Sequence, residues 1–155
     1  MNTGQLIITC DKQLMDKQQI HAFLAQTYWA RHIPLDILAK AIDNSLCVAA
    51  LLPDSPGYKV VGFARMITDY ATFAYLADVY VLPDFRGRGI SRQLVAQLDT
   101  HEELQSLRRR MLVTRDAHGL YEKFGYQAAA TPERIMEKLD AEVYQRMLLQ
   151  SGSTS

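Results

Sequence analysis

The stretch Leu76–Ser91, LADVYVLPDFRGRGIS, constrains this chain more than any other. Its first half, Leu76–Leu82, carries β-branched and aromatic residues and reads as a strand. Pro83-Asp84 ends that strand, because proline has no N–H for a ladder and Asp favours turns. Arg86, Gly87, Arg88, Gly89, Ile90 and Ser91 then lead into a segment where Ile90, Leu94 and Leu98 share one helix face with Val95 beside them. A strand, a glycine turn and a helix start, in that order, build an anion site. First-turn N–H groups have no internal partner and carry the positive end of the helix dipole. Gly87 and Gly89 let the backbone curl so that its N–H groups converge, and Arg86 and Arg88 add charge. A solvated basic turn that only caps the helix is the plainer alternative.

Two familiar phosphate loops fail on residues. A nucleotide-triphosphate loop needs Lys-Ser/Thr after its last glycine, and Ile90-Ser91 stands there. A dinucleotide fingerprint needs a third glycine where Arg92 sits, and belongs on the first strand of a fold. The segment does resemble the acyl-CoA-binding motif of the GCN5-related N-acetyltransferases (GNAT), Q/R-x-x-G-x-G/A after a strand. Arg86 takes the Q/R place, Gly89 the central glycine, and Ser91 replaces the last small residue. Ala117–Tyr126, AHGLYEKFGY, resembles the family's second signature, A-x-x-L-Y-E-K-x-G-F, about thirty residues downstream.

The resemblance implies acetyl-CoA as co-substrate, with no metal. The pantetheine arm would lie in a gap between the central strand and a parallel neighbour, against Val79, Tyr80 and Val81. The phosphates would reach Arg86, Gly87, Arg88, Gly89, Ile90 and Ser91. Tyr121 matches the tyrosine that faces the CoA sulfur, and a phenol, with a pKa near 10, can protonate a departing thiolate; packing its ring under the pantetheine is the other role. Thr114 stands where the family often has Asn. Tyr28, Trp29 and His32 would belong to the acceptor wall, or to core and helix-end packing. His118 is a second candidate base, and Asp116 suits a helix start equally well.

Asp78 is a carboxylate in an otherwise apolar strand, costly unless paired, protonated or open to a cleft. Simple alternation places Leu76, Asp78, Tyr80 and Leu82 on one face, with Ala77, Val79 and Val81 on the other. Some members of the family carry an acidic residue near this place that takes a proton from the amine through water. Asp78 is therefore read as the base or amine anchor, against a structural ion pair with Arg65. The expected reaction is direct acetyl transfer to a primary amine, either a small-molecule amine or a protein or peptide amine. The alternative is a CoA-binding sensor or interaction domain without transfer.

The remaining chain fits an α+β fold, a mixed, mostly antiparallel sheet flanked by helices. Leu6–Thr9, Ser45–Leu52, Lys59–Thr68 and Leu107–Thr114 read as further strands, with Tyr126–Ala129 and Arg134–Leu139 as late ones. Short turns after Ser45–Leu52 and Lys59–Thr68 imply an antiparallel meander, and the crossover around Ser91 a parallel pair. Helices are expected over Leu14–Ala30, Leu35–Ile42, Ile90–Thr100, Ala117–Phe124 and Ala141–Leu149. Arg108-Arg109-Arg110 alternate faces and so form no patch, though one could reach a CoA phosphate. The 155 residues suit one domain, 1–150, with SGSTS at 151–155 as a disordered tail. Zero formal net charge argues against a nucleic-acid partner held by a basic surface. Cys10 and Cys47 lack metal spacing, and no apolar run suggests a membrane span or export signal. The expectation is a cytoplasmic protein with free thiols, and a homodimer is compatible with it.

Overall fold

The antiparallel meander begins with β1 (Ile7–Thr9), β2 (Leu46–Asp54), β3 (Gly57–Thr68) and β4 (Phe73–Val81), each paired with the next. These strands come from a computed structural model that describes residues 5–152. A parallel strand, β5 (Arg109–Met111), follows β4 at the sheet edge, giving a five-stranded sheet in sequence order among the described residues. The meander and the parallel crossover are therefore as the turn lengths predict. Asp69 holds the β3–β4 turn by accepting from the N–H groups of Ala71, Thr72 and Phe73.

Helix α3 (Ile90–Asp99) is the crossover, and it lies on one face of the sheet. Its Ile90, Leu94, Val95 and Leu98 pack with Val48, Ala64, Met66 and Leu76. Helices α1 (Lys17–Leu24) and α2 (Leu35–Asp43) cover the other face, through Ile20, Leu24, Leu38 and Ile42 against Ala49, Phe63 and Tyr80. Gly62 lets α3 approach β3. A Cβ there would sit 3.1 Å from Leu94 Cδ1, 3.2 Å from the Tyr80 carbonyl and 3.3 Å from Ile90 Cγ2. Gly62→Ala is expected to destabilise by about 1–3 kcal/mol, the usual range of overpacking, lowering Tm by several degrees in a thermal melt. A raised Tm would mean that α3 moves away freely.

Four expected elements differ. The helix read over Leu14–Ala30 is only α1: Asp16 caps its start by accepting from Gln18 and Gln19 N–H. At the other end, Thr27 donates its hydroxyl to the Leu24 carbonyl and accepts from Ala30 N–H, replacing helical bonds with a side-chain turn. Tyr28 and Trp29 therefore sit in a loop. The strand read over Leu107–Thr114 shortens to β5, and Tyr126–Ala129 and Arg134–Leu139 form no strand, since neither has a paired neighbour. Helix α4 (His118–Glu122) precedes Gly125, whose φ of +89° ends that segment. Helix α5 (Val143–Gly152) takes in Ser151 and Gly152, the first two residues of the expected tail; the rest of that tail, like Met1–Gly4, falls outside the described residues. No helix of the described residues is long and apolar enough to cross a membrane.

Candidate active site

The site is organised by an irregularity in β4. Phe63 faces Tyr80 and Arg65 faces Ala77, so Ala64 alone opposes both Asp78 and Val79. Asp78 is the extra residue, with φ +57°. Such a bulge adds one residue to one strand and reverses the side-chain phase beyond it. Leu76 accordingly packs under α3, whereas Tyr80 packs on the α1/α2 side. The simple alternation expected across Asp78 is thus corrected: Leu76 and Tyr80 lie on opposite faces.

Asp78 is 8% exposed and fully engaged. One carboxylate oxygen accepts from Arg65 Nε at 2.6 Å, the other from Trp29 Nε1 at 2.9 Å. Arg65 also donates to Ser45 Oγ at 3.1 Å, so the network ties the α2–β2 turn, β3, β4 and the loop after α1 together. The Arg65 pair weighed from the sequence is present. Trp29 as its second partner was not legible, because 49 residues separate the two.

Past Tyr75, just before this bulge, β4 and β5 part. They pair only at Phe73–Arg109, Ala74–Arg110 and Tyr75–Met111. Residues 76–81 of β4 therefore have no strand partner on the β5 side among the described residues. Tyr80 itself is anchored away from that gap: its ring stacks on Phe23 with centroids 4.1 Å apart. Tyr80 can meet a ligand there only through its backbone groups, and the Val81 carbonyl already accepts from Arg86 Nε at 3.0 Å.

The gap leads to the glycine turn. Gly87 and Gly89 adopt φ of +79° and +76°, the left-handed region glycine enters without cost. A Cβ on either would meet nothing within 4 Å, so the space beside both glycines is open. Gly89 is the α3 N-cap and supplies no side-chain cap, which leaves first-turn N–H groups free of a capping side chain. Ile90 is buried under the sheet and can contribute only its N–H; Ser91 is half-exposed in the same turn. Arg88 stacks over the Phe85 ring at 5.3 Å and also donates to the Asp84 carbonyl.

Tyr121 comes from α4 and is 9% exposed, its ring edge-on to Tyr126 at 6.1 Å. Burial raises its pKa, and the Asp116 carboxylate and Tyr28 raise it further, so the phenol stays protonated at neutral pH. Thr114 accepts from Ala117 N–H at 3.0 Å and so serves the start of α4. Arg115 lies over the Tyr28 ring at 4.0 Å, joining the β5–α4 loop to the loop after α1. No sequence signal pointed to that contact. Tyr28 and Trp29 are 57% and 44% exposed, edge to face at 5.0 Å. His32 is exposed with φ +67°, and His118 is exposed at the start of α4. The structure therefore gathers Tyr28, Trp29 and Asp78 on one side and Thr114, His118 and Tyr121 along a cleft of about 1030 Å³. That cleft borders the outer edge of β5, and none of its lining residues comes from β4. The three consecutive arginines diverge as alternation predicts: Arg109 is exposed, whereas Arg110 turns to Asp99 and the Leu104 carbonyl.

A parallel strand pair that opens toward a glycine turn at a helix N-terminus is an arrangement suited to a phosphate-bearing ligand. Comparison with known proteins makes the class specific. The acetyltransferase (GNAT) domain model matches residues 43–128. A Gibberella zeae protein named as an acetyltransferase is 35% identical over 77% of each chain. A crystal structure from Xanthomonas campestris pv. campestris, assigned to the GNAT acetyltransferases, is 45% identical with TM-score 0.83, covering 90% of this chain and 96% of that one. A Mycobacterium tuberculosis protein crystallised with CoA shares the fold, with TM-score 0.60 at 22% identity over 92% of this chain and 81% of its own. This chain belongs to the GNAT acetyltransferase family. It is an acyltransferase by class.

Proposed function

We propose that the protein transfers an acetyl group from acetyl-CoA directly to a primary amine. The observation that carries this reading is the splay of β4 from β5 ending at the open Gly87–Gly89 turn. Pantetheine is peptide-like and would pair with the free β4 backbone beyond Tyr75, with a strand N–H polarising the thioester carbonyl. The pyrophosphate would take the N–H groups of Gly87 to Ser91, with Arg86 and Arg88 supplying charge. Tyr121 would give its proton to the departing thiolate; its raised pKa keeps that proton available at neutral pH.

Direct transfer is favoured over an acyl-cysteine intermediate. The thiolate is the nucleophile, and burial raises the Cys47 pKa to about 11 despite Lys12 and Arg65 nearby. Cys10 is raised in the same direction, also by burial. Acetyl-CoA titrated by calorimetry should give one saturable site, with CoA competing and an adenine nucleotide lacking pantetheine binding far less. Equal binding by the truncated nucleotide would remove pantetheine from the gap.

Asp78 is read as a positioning residue that holds Trp29 at the acceptor wall, because both its oxygens are already engaged. Asp78→Asn keeps shape and tolerates the left-handed backbone, yet leaves Arg65 unpaired with only 14% of its side chain exposed. Breaking a buried pair this way costs about 3–5 kcal/mol. The variant should melt markedly earlier while each folded molecule keeps most of its kcat and the acceptor KM rises. An unchanged Tm with collapsed kcat would make Asp78 the base instead.

A further inference from the structure

A line of contacts runs from the interior of the sheet to one exposed guanidinium. Arg65 holds Asp78, Asp78 accepts from Trp29, Trp29 meets Tyr28 edge to face, and Arg115 lies over the Tyr28 ring at 4.0 Å. A cation this close to a ring is held by the ring's quadrupole, and Tyr28 is itself braced from the sheet through Trp29. Arg115 nevertheless donates no side-chain hydrogen bond and forms no ion pair among the described residues. Its planar N–H fork is positioned and unused.

Asp116 follows directly and is unused as well. Thr114, not Asp116, takes the Ala117 N–H, and no side chain caps α4, so the helix-start role open to Asp116 is not filled. Its carboxylate accepts no hydrogen bond and pairs with no cation among the described residues, Arg115 included. Two exposed, opposite charges therefore stand side by side without neutralising each other. They sit on the turn between Thr114 and His118, which line the cleft together with Tyr121. Asp116 and Tyr28 both act on the Tyr121 phenol, raising its pKa, which places this turn beside the proposed acid.

We infer that the acceptor is a free amino acid, with its carboxylate on the Arg115 fork and its ammonium against Asp116; this rests on the acetyl-transfer reading above. Arginine pairs a carboxylate bidentately, and a fork held in place beforehand gives up less freedom on binding. A peptide amine carries an amide on the neighbouring carbon, and a simple amine carries no acceptor there, so either leaves the fork unanswered. The CoA phosphates have the turn at 86–91 and do not call on Arg115. For transfer, the ammonium releases one proton to solvent, and the neutral amine forms the C–N bond as the C–S bond breaks. CoA leaves as the thiol with the Tyr121 proton, and one of the remaining amine protons returns to the phenolate through solvent.

Calorimetry on the CoA-loaded chain tests this with L-alanine, L-leucine, L-phenylalanine and L-glutamate, each beside its α-carboxamide, for wild type and Arg115→Gln. At least one acid should bind saturably, roughly tenfold or more tighter than its amide, the worth of one charge-assisted pair. Arg115→Gln should bring that acid down to the amide's level and leave amide and acetyl-CoA binding as in wild type. Amides that bind as well as the acids, or no acid that binds, would overturn the inference. A loss shared equally by acid and amide in Arg115→Gln would overturn it too, marking the guanidinium as a brace for Tyr28. A loss of acetyl-CoA affinity would do the same by assigning Arg115 to the cofactor. Acid-selective binding without amine-dependent thiol release would leave the inference standing and count against transfer instead.

Discussion

Gly89→Asp is expected to abolish most acetyl-CoA affinity in a protein that remains folded. At φ +76° a side chain costs about 1–2 kcal/mol. A carboxylate near a helix N-terminus interacts favourably with the dipole, which offsets part of that strain. No protein atom lies within 4 Å of the new Cβ, so the side chain disturbs no packing. It does enter the open space beside the turn and sets a negative charge against the incoming phosphates. Losing two charge-assisted hydrogen bonds, each worth about 1.5–3 kcal/mol, corresponds to roughly a hundredfold loss of affinity or more. Calorimetry on the variant, well below its Tm, reads this directly. Unchanged affinity would move the phosphates away from 86–91.

Tyr121→Phe should separate binding from chemistry. The ring packs against Tyr126 and the α3-side cluster, and Phe keeps both contacts. Only the hydroxyl is lost, so Tm and acetyl-CoA affinity should hold while kcat falls by roughly 10²–10⁴-fold, the range of general acid catalysis. A pH–rate profile adds a second check. The pKa of Tyr121 is raised above the ordinary phenol value, so no loss of wild-type turnover from this group appears between pH 7 and 9. A Phe variant with wild-type kcat would reduce Tyr121 to a packing residue.

The parts of this fold that were legible in the sequence are those governed by local chemistry. The strand, proline stop, glycine turn and helix of 76–99 depend on backbone freedom and spacing, and they form where expected. The β2–β3–β4 meander follows from turns too short for crossovers. The Asp78 bulge was not legible, because a left-handed Asp inside a strand is held by partners 13 and 49 residues away. Its effect, reversing the faces of Leu76 and Tyr80, is a tertiary fact. The end of α1 depended likewise on Thr27 competing for backbone groups. Tyr126–Ala129 and Arg134–Leu139 read as strands yet have no paired neighbour among the described residues, and a strand exists only with one. Arg115 over Tyr28 links two loops that nothing in the sequence connects.

Transfer itself is the central claim, and release of free CoA thiol from acetyl-CoA across a panel of primary amines tests it most directly. The panel should span small amines, amino acids and peptides, with a no-amine control and wild type run beside Tyr121→Phe. The account predicts thiol release that depends on at least one amine and falls by roughly 10²-fold or more in Tyr121→Phe, within the general-acid range. Acetyl-CoA that binds to one site while no amine accelerates thiol release above the control would contradict it, leaving a CoA-binding domain without transfer.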